Sequence, residues 1–146
     1  MNYVKSKNMI MKFIGESTLI DNEVSIRVEP VIIDKNSLYS HINYEQNYIE
    51  FKGENFDHLA FQGIGAGRYP TASAVVNDII QIKNGNTKEF HFNNKHLIVN
   101  SDLHLSRYLV LSKGKFEVTK EITISELKMT YKQITCFARI DGDMYV

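Results

Sequence analysis

A glycine-rich segment between a short apolar stretch and a long helical pattern constrains the fold of this chain most. Gly63, Gly65 and Gly67 fall within five positions. Glycine lacks a Cβ atom, so such a segment permits positive φ angles and a close approach of the backbone to a ligand. Pro70, whose fixed φ suits the first turn of a helix, follows almost at once. The sequence therefore predicts a strand at residues 59–61, a tight glycine turn and a helix, in that order.

The helix is predicted over residues 71–82, and Gly85 beyond it is typical of a helix stop. Its apolar residues recur at helical spacing on more than one stripe: Ala72, Ala74, Val75, Val76, Ile79, Ile80 and Ile82. Such a helix needs apolar partners on two sides.

Short extended segments surround the helix. Val24, Ile26 and Val28 alternate with polar residues, which is typical of a half-buried strand, and Pro30 places that strand at a sheet edge or bends it. Further strands are predicted at residues 9–14, 48–52, 90–92, 97–99, 108–111 and 134–140. Residues 118–129 are compatible with a strand or with a helical turn near Leu127. The predicted fold class is α+β, rich in strands, with one clear helix.

Composition and charge exclude several classes of function. Seventeen Lys and Arg balance seventeen Asp and Glu, so no global field attracts nucleic acid or an anionic membrane. No uncharged apolar run approaches the roughly 18–20 residues of a membrane helix. A single cysteine, Cys136, forms no internal disulfide. With charged residues near Met1 where a signal peptide would be apolar, we expect a cytoplasmic protein.

The spacing of the glycine segment fits neither common nucleotide-binding motif. The dinucleotide fingerprint G-x-G-x-x-G requires its third glycine at the position of Arg68. The segment also lacks the Gly-Lys-Ser/Thr ending of a Walker A loop. On spacing alone, a structural turn and a ligand-binding loop are equally open.

The remaining polar residues suggest no further site. In an extended segment His91 and His96 point to opposite faces, and no cysteine or carboxylate completes a tetrahedral metal site at a recognisable spacing. Cys136 lies in an apolar strand and is predicted to be a buried structural thiol. Ser73 lies within a helix, outside the context of a nucleophile elbow. We assign neither catalytic residues nor metal ligands.

Residues 63–79 carry a longer pattern, G-x-G-A-G-x-x-P-T-A-S-A-V-V-x-D-I. This run closely resembles the end of the catalytic region of homoserine dehydrogenases. The similarity extends upstream to Lys12–Gly15, to the strand that ends at Pro30, to residues 38–47 and to Gly53. It covers roughly residues 9–82. Residues 1–82 are therefore interpreted as part of the catalytic and dimerisation region of this family.

The resemblance implies a mixed β-sheet packed with few helices. It also implies NAD(P)-dependent interconversion of L-homoserine and L-aspartate 4-semialdehyde, a step of threonine and methionine biosynthesis. The backbone of the glycine loop contacts the cofactor in this family, and Gly67 matches best, then Gly65, with Gly63 also in the loop. Neighbouring strands form the sheet that pairs subunits. The expected partners are a second copy, through that sheet, or a separate Rossmann-domain chain, with no nucleic acid and no membrane.

Three parts of the family pattern have no counterpart in this sequence: the N-terminal Rossmann domain, the acid/base residues and the monovalent-cation site. We therefore expect a fragment that is inactive alone and does not bind NAD or NADP tightly by itself. Its long helix would lack one of its partners. The chain is then expected to self-associate, or to cover that face with its own tail.

Residues 83–146 form a predicted C-terminal extension. Long homoserine dehydrogenases often continue into an ACT domain, whose first strand leads into an Asp-x-x-Gly turn. Residues 107–114 have the strand and the glycine but no aspartate. A degenerate or partial ACT-like unit and an unrelated tail both stay open. The alternative function is a non-catalytic dimerisation or amino-acid-sensing module that acts with a partner chain.

Overall fold

The computed structural model describes residues 2–86, 89 and 91–141. Its elements are α1 (Asn2–Ser6), β1 (Met9–Ile20), β2 (Glu23–Asp34), a 3₁₀ turn (Leu38–His41), β3 (Gln46–Gly53), β4 (Phe56–Ile64), α2 (Arg68–Lys83), β5 (Ile98–Val99), β6 (Arg107–Ser112), β7 (Lys115–Val118), α3 (Ile124–Thr130) and β8 (Ile134–Ile140). The predicted α+β class is confirmed. None of the helices in the described ranges has the length and apolar character needed to cross a membrane.

The chain divides into two compact units. Unit 1 combines Met1–Ser40 with Lys95–Val146, and unit 2 comprises His41–Asn94. In unit 1, the strand order is β1-β2-β8-β6-β7, and β5 also pairs with β2. The β1–β2 hairpin is antiparallel, whereas β8 runs parallel to β2 and antiparallel to β6. The C-terminal segment therefore completes a mixed sheet that the N-terminal hairpin begins.

Pro30 lies inside β2, which pairs with neighbours on both sides rather than forming an edge. The Val24 carbonyl accepts a hydrogen bond from the Asn100 N–H, and the Ile32 carbonyl accepts one from the Asp141 N–H. The even-numbered residues of β2 therefore direct their backbone N–H and C=O groups away from β1. Because β5 pairs with residues 23–24 and β8 with residues 31–32, Pro30 faces the gap between them. The N–H group that proline lacks is not required there.

Two hydrophobic clusters cover the two faces of this sheet. On one face, α1 lies over Met9 and the centre of the sheet; the buried members are Val4, Met9, Ile32, Leu109, Ala138 and Ile140. On the other face, Leu127 of α3 packs in a cluster with Tyr108, Val110 and Ile122. The Phe137 ring packs edge-on against Tyr108 at 5.8 Å between centroids. Neighbouring residues of β8 thus enter different clusters, as strand alternation requires.

The ambiguous stretch at residues 118–129 contains the end of β7 and the start of α3. The Thr123 hydroxyl accepts a hydrogen bond from the Glu126 N–H at 3.1 Å, and the Glu126 carboxylate accepts one from the Thr123 N–H at 2.8 Å. This reciprocal pair is a capping box. Leu127, one residue later, is fully buried and anchors the helix to the sheet. The helical alternative is therefore confirmed for residues 124–130.

Four charged side chains form a closed ring across β1, β2 and β8. Arg27 contacts Glu16 at 2.8 Å and Glu29 at 3.6 Å. Arg139 contacts Glu29 at 2.8 Å and Glu16 at 3.1 Å. The side chains of Glu29 and Arg139 are only 10% and 12% exposed. Burial and the nearby Glu29 carboxylate raise the pKa of the Tyr108 phenol, which therefore stays neutral beside the ring.

Unit 2 contains the β3–β4 hairpin and α2. On one face of the hairpin, the side chains are apolar: Ile49, Phe51, Leu59 and Phe61. On the opposite face they are mostly polar. No residue of α2 is buried. The described residues therefore include no tail segment that covers this helix, contrary to one of the two expectations. Of the strand predicted at residues 90–92, Phe90 lies outside the described residues, and the prediction is wrong for His91 and Phe92, which have irregular backbone.

Replacing Arg139 by methionine leaves the buried Glu29 carboxylate with Arg27 alone. We expect Arg139→Met to lower the free energy of unfolding by about 2–4 kcal/mol, because a buried carboxylate loses its closest partner. Urea unfolding followed by circular dichroism measures the change. The matched control Lys120→Met removes an exposed cation and should stay within about 0.5 kcal/mol. Equal losses in the two variants would contradict the structural importance of the ring.

Candidate functional site

The glycine loop joins β4 to α2, as the sequence predicts. β4 ends at Ile64 and α2 begins at Arg68, with Gly67 as its N-cap residue. The Gly67 carbonyl accepts a hydrogen bond from the Thr71 N–H at 3.2 Å and thereby closes the first helical turn. Pro70 is the third residue of the helix, where its missing N–H leaves no bond unmade.

The three glycines of the loop have different surroundings. Gly67 has φ +106° and ψ 165°, a region that is essentially restricted to glycine. At Gly65 a Cβ atom would collide with the side-chain amide of Asn47. At Gly63 a Cβ atom would meet nothing within 4 Å. Backbone conformation therefore explains the glycine at 67, whereas a side chain at 65 would require the exposed Asn47 side chain to move, and Gly63 has open space.

The backbone N–H groups of the loop divide between β3 and the open helix end. The Gly65 N–H donates to the Glu45 carbonyl at 3.1 Å. Gly63, two residues earlier and paired with Asn47, has the same orientation in the ladder, so its N–H also faces β3. At the start of α2, the N-cap residue Gly67 has no side chain with which to cap the helix. The N–H groups of Arg68 and Tyr69, in the first turn, have no acceptor within the helix and point from its positive end.

Two side chains extend from this helix end. The Arg68 guanidinium lies 5.8 Å from the centroid of the Tyr69 ring, within the range of a cation–π contact. Both side chains are exposed, and Tyr69 is 80% exposed. Open amide donors, a helix N-terminus and an arginine together favour an anionic or electron-rich group. The sequence identified the loop, and the ladder register shows that the Gly63 and Gly65 N–H groups face β3.

The apolar side chains of α2 are all substantially exposed. The exposed fraction ranges from 48% at Ile80 to 66% at Ile82, and Val75, Val76 and Ile79 lie between these values. Fully burying one such side chain is worth about 1.5–3 kcal/mol. A helix with five of them in water is therefore incomplete without a partner surface.

The polar face of the β3–β4 hairpin carries a cluster that the sequence analysis did not single out. The Glu50 carboxylate accepts a hydrogen bond from the Tyr48 hydroxyl at 3.2 Å, and lies 3.1 Å from Lys52 Nζ and 3.3 Å from His58 Nδ1. Partial burial and the hydrogen bond to Glu50 raise the pKa of the Tyr48 phenol. Alternation of Tyr48, Glu50 and Lys52 along β3 was the sequence signal for this cluster. Its donors and acceptor are mutually satisfied.

The other residues considered from the sequence lie apart from the loop. His91 and His96 are exposed in irregular backbone. Among the described residues, no group of three or more His, Cys, Asp and Glu side chains is arranged to hold a metal ion. Ser73 is exposed on α2.

The prediction that Cys136 is buried is wrong, because this residue is exposed. It shares the α1-covered face of the sheet with Ala138 and Ile140, since residues two apart in a strand point the same way. Its neighbour in β6 is the half-buried Leu111, whereas Ala138 lies opposite the buried Leu109. Cys136 therefore lies just beyond the end of the hydrophobic cluster.

Comparisons with known proteins point to one family. The family model described as homoserine dehydrogenase matches residues 1–80. The Pseudomonas aeruginosa homoserine dehydrogenase is 26% identical over 102 residues, which is 70% of this chain and 24% of that protein. The Helicobacter pylori homoserine dehydrogenase is 32% identical over 82 residues, or 56% of this chain and 20% of that protein. The chain thus spans about a quarter or less of the length of these relatives.

Solved structures resemble the whole chain. Staphylococcus aureus homoserine dehydrogenase at pH 6.5 matches 98% of it, with 19% identity and a TM-score of 0.64, over 44% of that protein. The Thiobacillus denitrificans homoserine dehydrogenase matches 97% with the same TM-score, 18% identity and 44% coverage. At these identities the similarity concerns the fold alone. It extends well beyond residue 80, where the match to the family model ends.

The unusual backbone conformation of Gly67 predicts a position-specific response to alanine. Gly67→Ala should cost about 1–3 kcal/mol of stability, because a Cβ atom is strained at φ +106°. Urea unfolding, with hydrogen exchange at the first turn of α2 as a local probe, measures this effect. Gly63→Ala is the matched control in the same loop and should change stability by less than about 1 kcal/mol. The reverse order of the two variants would show that the loop has a different conformation.

Proposed function

The chain belongs to the homoserine dehydrogenase family, and on this premise we propose that it supplies the cofactor-facing loop and the dimerisation sheet of such an enzyme. The proposed reaction is the NAD(P)-dependent interconversion of L-homoserine and L-aspartate 4-semialdehyde, in threonine and methionine biosynthesis. The observation that carries the proposal is the set of open backbone donors at Arg68 and Tyr69, inside the family's own glycine motif. The expected cytoplasmic location is part of the same proposal.

The loop residues fit one part of a dinucleotide. The Arg68 and Tyr69 N–H groups and the helix N-terminus suit an anionic or polar cofactor group, and the open space at Gly63 allows close approach. Gly67 holds the backbone in the conformation that presents these donors, and Gly65 lets Asn47 pack against the loop. A two-stranded hairpin and one helix provide no adenosine or nicotinamide pocket in the described residues of unit 2. We propose that this pocket comes from outside the 146 residues.

The role of this chain is therefore to bind and orient. Its loop amides would donate to the cofactor, and the exposed apolar side of α2 would pack against the nucleotide-binding fold. When bound, NAD(P) accepts or donates the hydride. We assign no acid or base among these 146 residues, so we propose that the proton transfer uses residues from outside them and that the chain alone is inactive.

The β1–β2 hairpin supports a homo-oligomer. One of its faces is apolar and open to solvent: Phe13, Ile26 and Val28 are 78%, 68% and 75% exposed. The opposite face of the hairpin carries the charged ring, which is partly buried. In this hairpin the apolar face is therefore the exposed one, the reverse of the usual arrangement. Exposed apolar patches of this kind mark interaction sites. We propose that a second copy of the chain covers this face.

Reconstitution tests the proposed enzymatic role. The 146-residue chain is mixed with a separately produced polypeptide comprising the part of the Helicobacter pylori enzyme that does not align with it. We expect no homoserine-dependent reduction of NAD(P)⁺ by either component alone and measurable turnover by the mixture. Complex formation without turnover would favour the non-catalytic module instead, and the absence of a complex would overturn the proposal.

A variant at Gly63 locates the cofactor contact. Gly63→Val fills space that the chain itself leaves empty, so folding should be preserved while turnover of the reconstituted mixture falls at least about tenfold, equivalent to about 1.4 kcal/mol. Gly85→Asn is the matched control: it replaces another glycine with open surroundings, outside the loop, by a residue that tolerates positive φ. Unchanged turnover in Gly63→Val would rule out a close cofactor contact there.

The proposed interface makes a separate prediction about association. Phe13→Lys combined with Val28→Lys should raise the dissociation constant of the homo-oligomer about 100-fold or more, because two apolar side chains lose their burial. Sedimentation velocity over a range of concentrations measures it. Tyr44→Lys, at a position that is 99% exposed in a loop, should leave association unchanged. A monomeric parent chain would refute this interface.

A further inference from the structure

A cleft of about 630 Å³ lies in unit 1, between the turn that joins β6 to β7 and the end of α3. Its volume is within the range of small-molecule sites. Lys113 and Lys115 line it on the turn side, and Thr130, Tyr131 and Lys132 line it on the helix side. The glycine loop belongs to unit 2, so this cleft is a separate feature and is independent of the proposed function.

The charge of the cleft is strongly positive for this chain. Three lysines and one carboxylate, Glu117, contribute to its lining. Their formal sum is +2, whereas the whole chain has a formal net charge of zero. The excess is thus local and does not reflect a generally basic protein. Lysines gathered on one part of the surface raise the local concentration of anions there, although these three side chains are exposed to solvent.

Lys113 lies in the turn that borders the cleft. Lys113 has φ +49° and Gly114 has φ +77°, the pattern of a two-residue type I′ hairpin turn. Asn-Gly is the usual sequence for this turn, because a long side chain is disfavoured at a positive φ. Lysine at position 113 therefore stabilises the turn less than asparagine would.

The two walls of the cleft are linked to each other. The Ser112 hydroxyl donates a hydrogen bond to the Gln133 carbonyl at 3.1 Å. The register between β6 and β8 also shifts between Leu111 and Ser112. Such irregularities redirect neighbouring side chains and are common beside functional sites. The hydroxyl groups of Thr130 and Tyr131 add hydrogen-bond donors beside the lysines.

We propose that this cleft binds a small dianionic molecule, of which a phosphate group is the simplest example. The net charge of +2 matches a dianion better than a monocarboxylate. Lysine ammonium groups act on such a ligand as point charges, and the Thr130 and Tyr131 hydroxyls add directional hydrogen bonds. Glu117 disfavours further negative charge at its side of the cleft.

A titration of the complete chain tests the proposal. Sodium phosphate is added at constant ionic strength, and backbone amide shifts are followed by ¹⁵N-resolved NMR; sodium acetate and sodium succinate form parallel titrations. We expect saturable shifts at residues 112–117 and 130–133 with a phosphate Kd of about 1–10 mM. Phosphate and succinate should bind at least about tenfold more tightly than acetate. Shifts that rise linearly without saturation, or equal affinity for all three anions, would overturn the proposal.

Variants separate the cleft from general surface charge. Lys113→Asn removes a cation and installs a residue that the turn tolerates well, so the fold should be maintained. Together with Lys132→Gln, it should weaken phosphate binding at least about tenfold. Lys5→Gln, at an exposed lysine on α1 that does not line the cleft, should leave binding unchanged. Retained affinity in the double variant, or equal loss in Lys5→Gln, would show that the cleft is not the binding site.

Discussion

The parallel pairing of β8 with β2 is the contact on which the rest of unit 1 depends. It spans only two residue pairs, Val31 with Arg139 and Ile32 with Ile140, yet it joins parts of the chain more than a hundred residues apart. Both hydrophobic clusters include residues of the C-terminal segment. The charged ring binds across the same junction, so its geometry opposes a shift in register. Residues 95–141 thus complete the fold, even though their sequence suggests a separate extension.

The glycine loop illustrates how a motif combines structural and functional demands. One of its glycines, Gly67, is required by backbone conformation, and a second, Gly65, lies against the exposed Asn47 side chain. The third leaves room that no described residue occupies. The N–H groups of Gly63 and Gly65 face β3, whereas those of Arg68 and Tyr69, three and four residues after Gly65, point from the start of α2. The geometry thus distinguishes residues that the motif presents together.

The distribution of apolar surface is as informative as the fold. The open face of the β1–β2 hairpin, the apolar face of the β3–β4 hairpin and all of α2 present large side chains to water. In the proposed function, partner surfaces cover these side chains. The chain spans less than half of the solved enzymes that it resembles. The lysine-lined cleft is different in kind, because its lining residues are charged or polar rather than apolar.

Local sequence determined the elements whose physical causes are local. Alternation predicted β2, the apolar period and Pro70 predicted α2, and the glycine spacing predicted the turn between β4 and α2. The family motif identified the loop. Tertiary structure decided what depends on distant residues: β8 beside β2, the charged ring, the exposed Cys136, and Pro30 inside a sheet instead of at its edge. It also decided which loop amides remain open. Strand pairing and burial are set by residues far apart in the chain, and no window of sequence contains both partners.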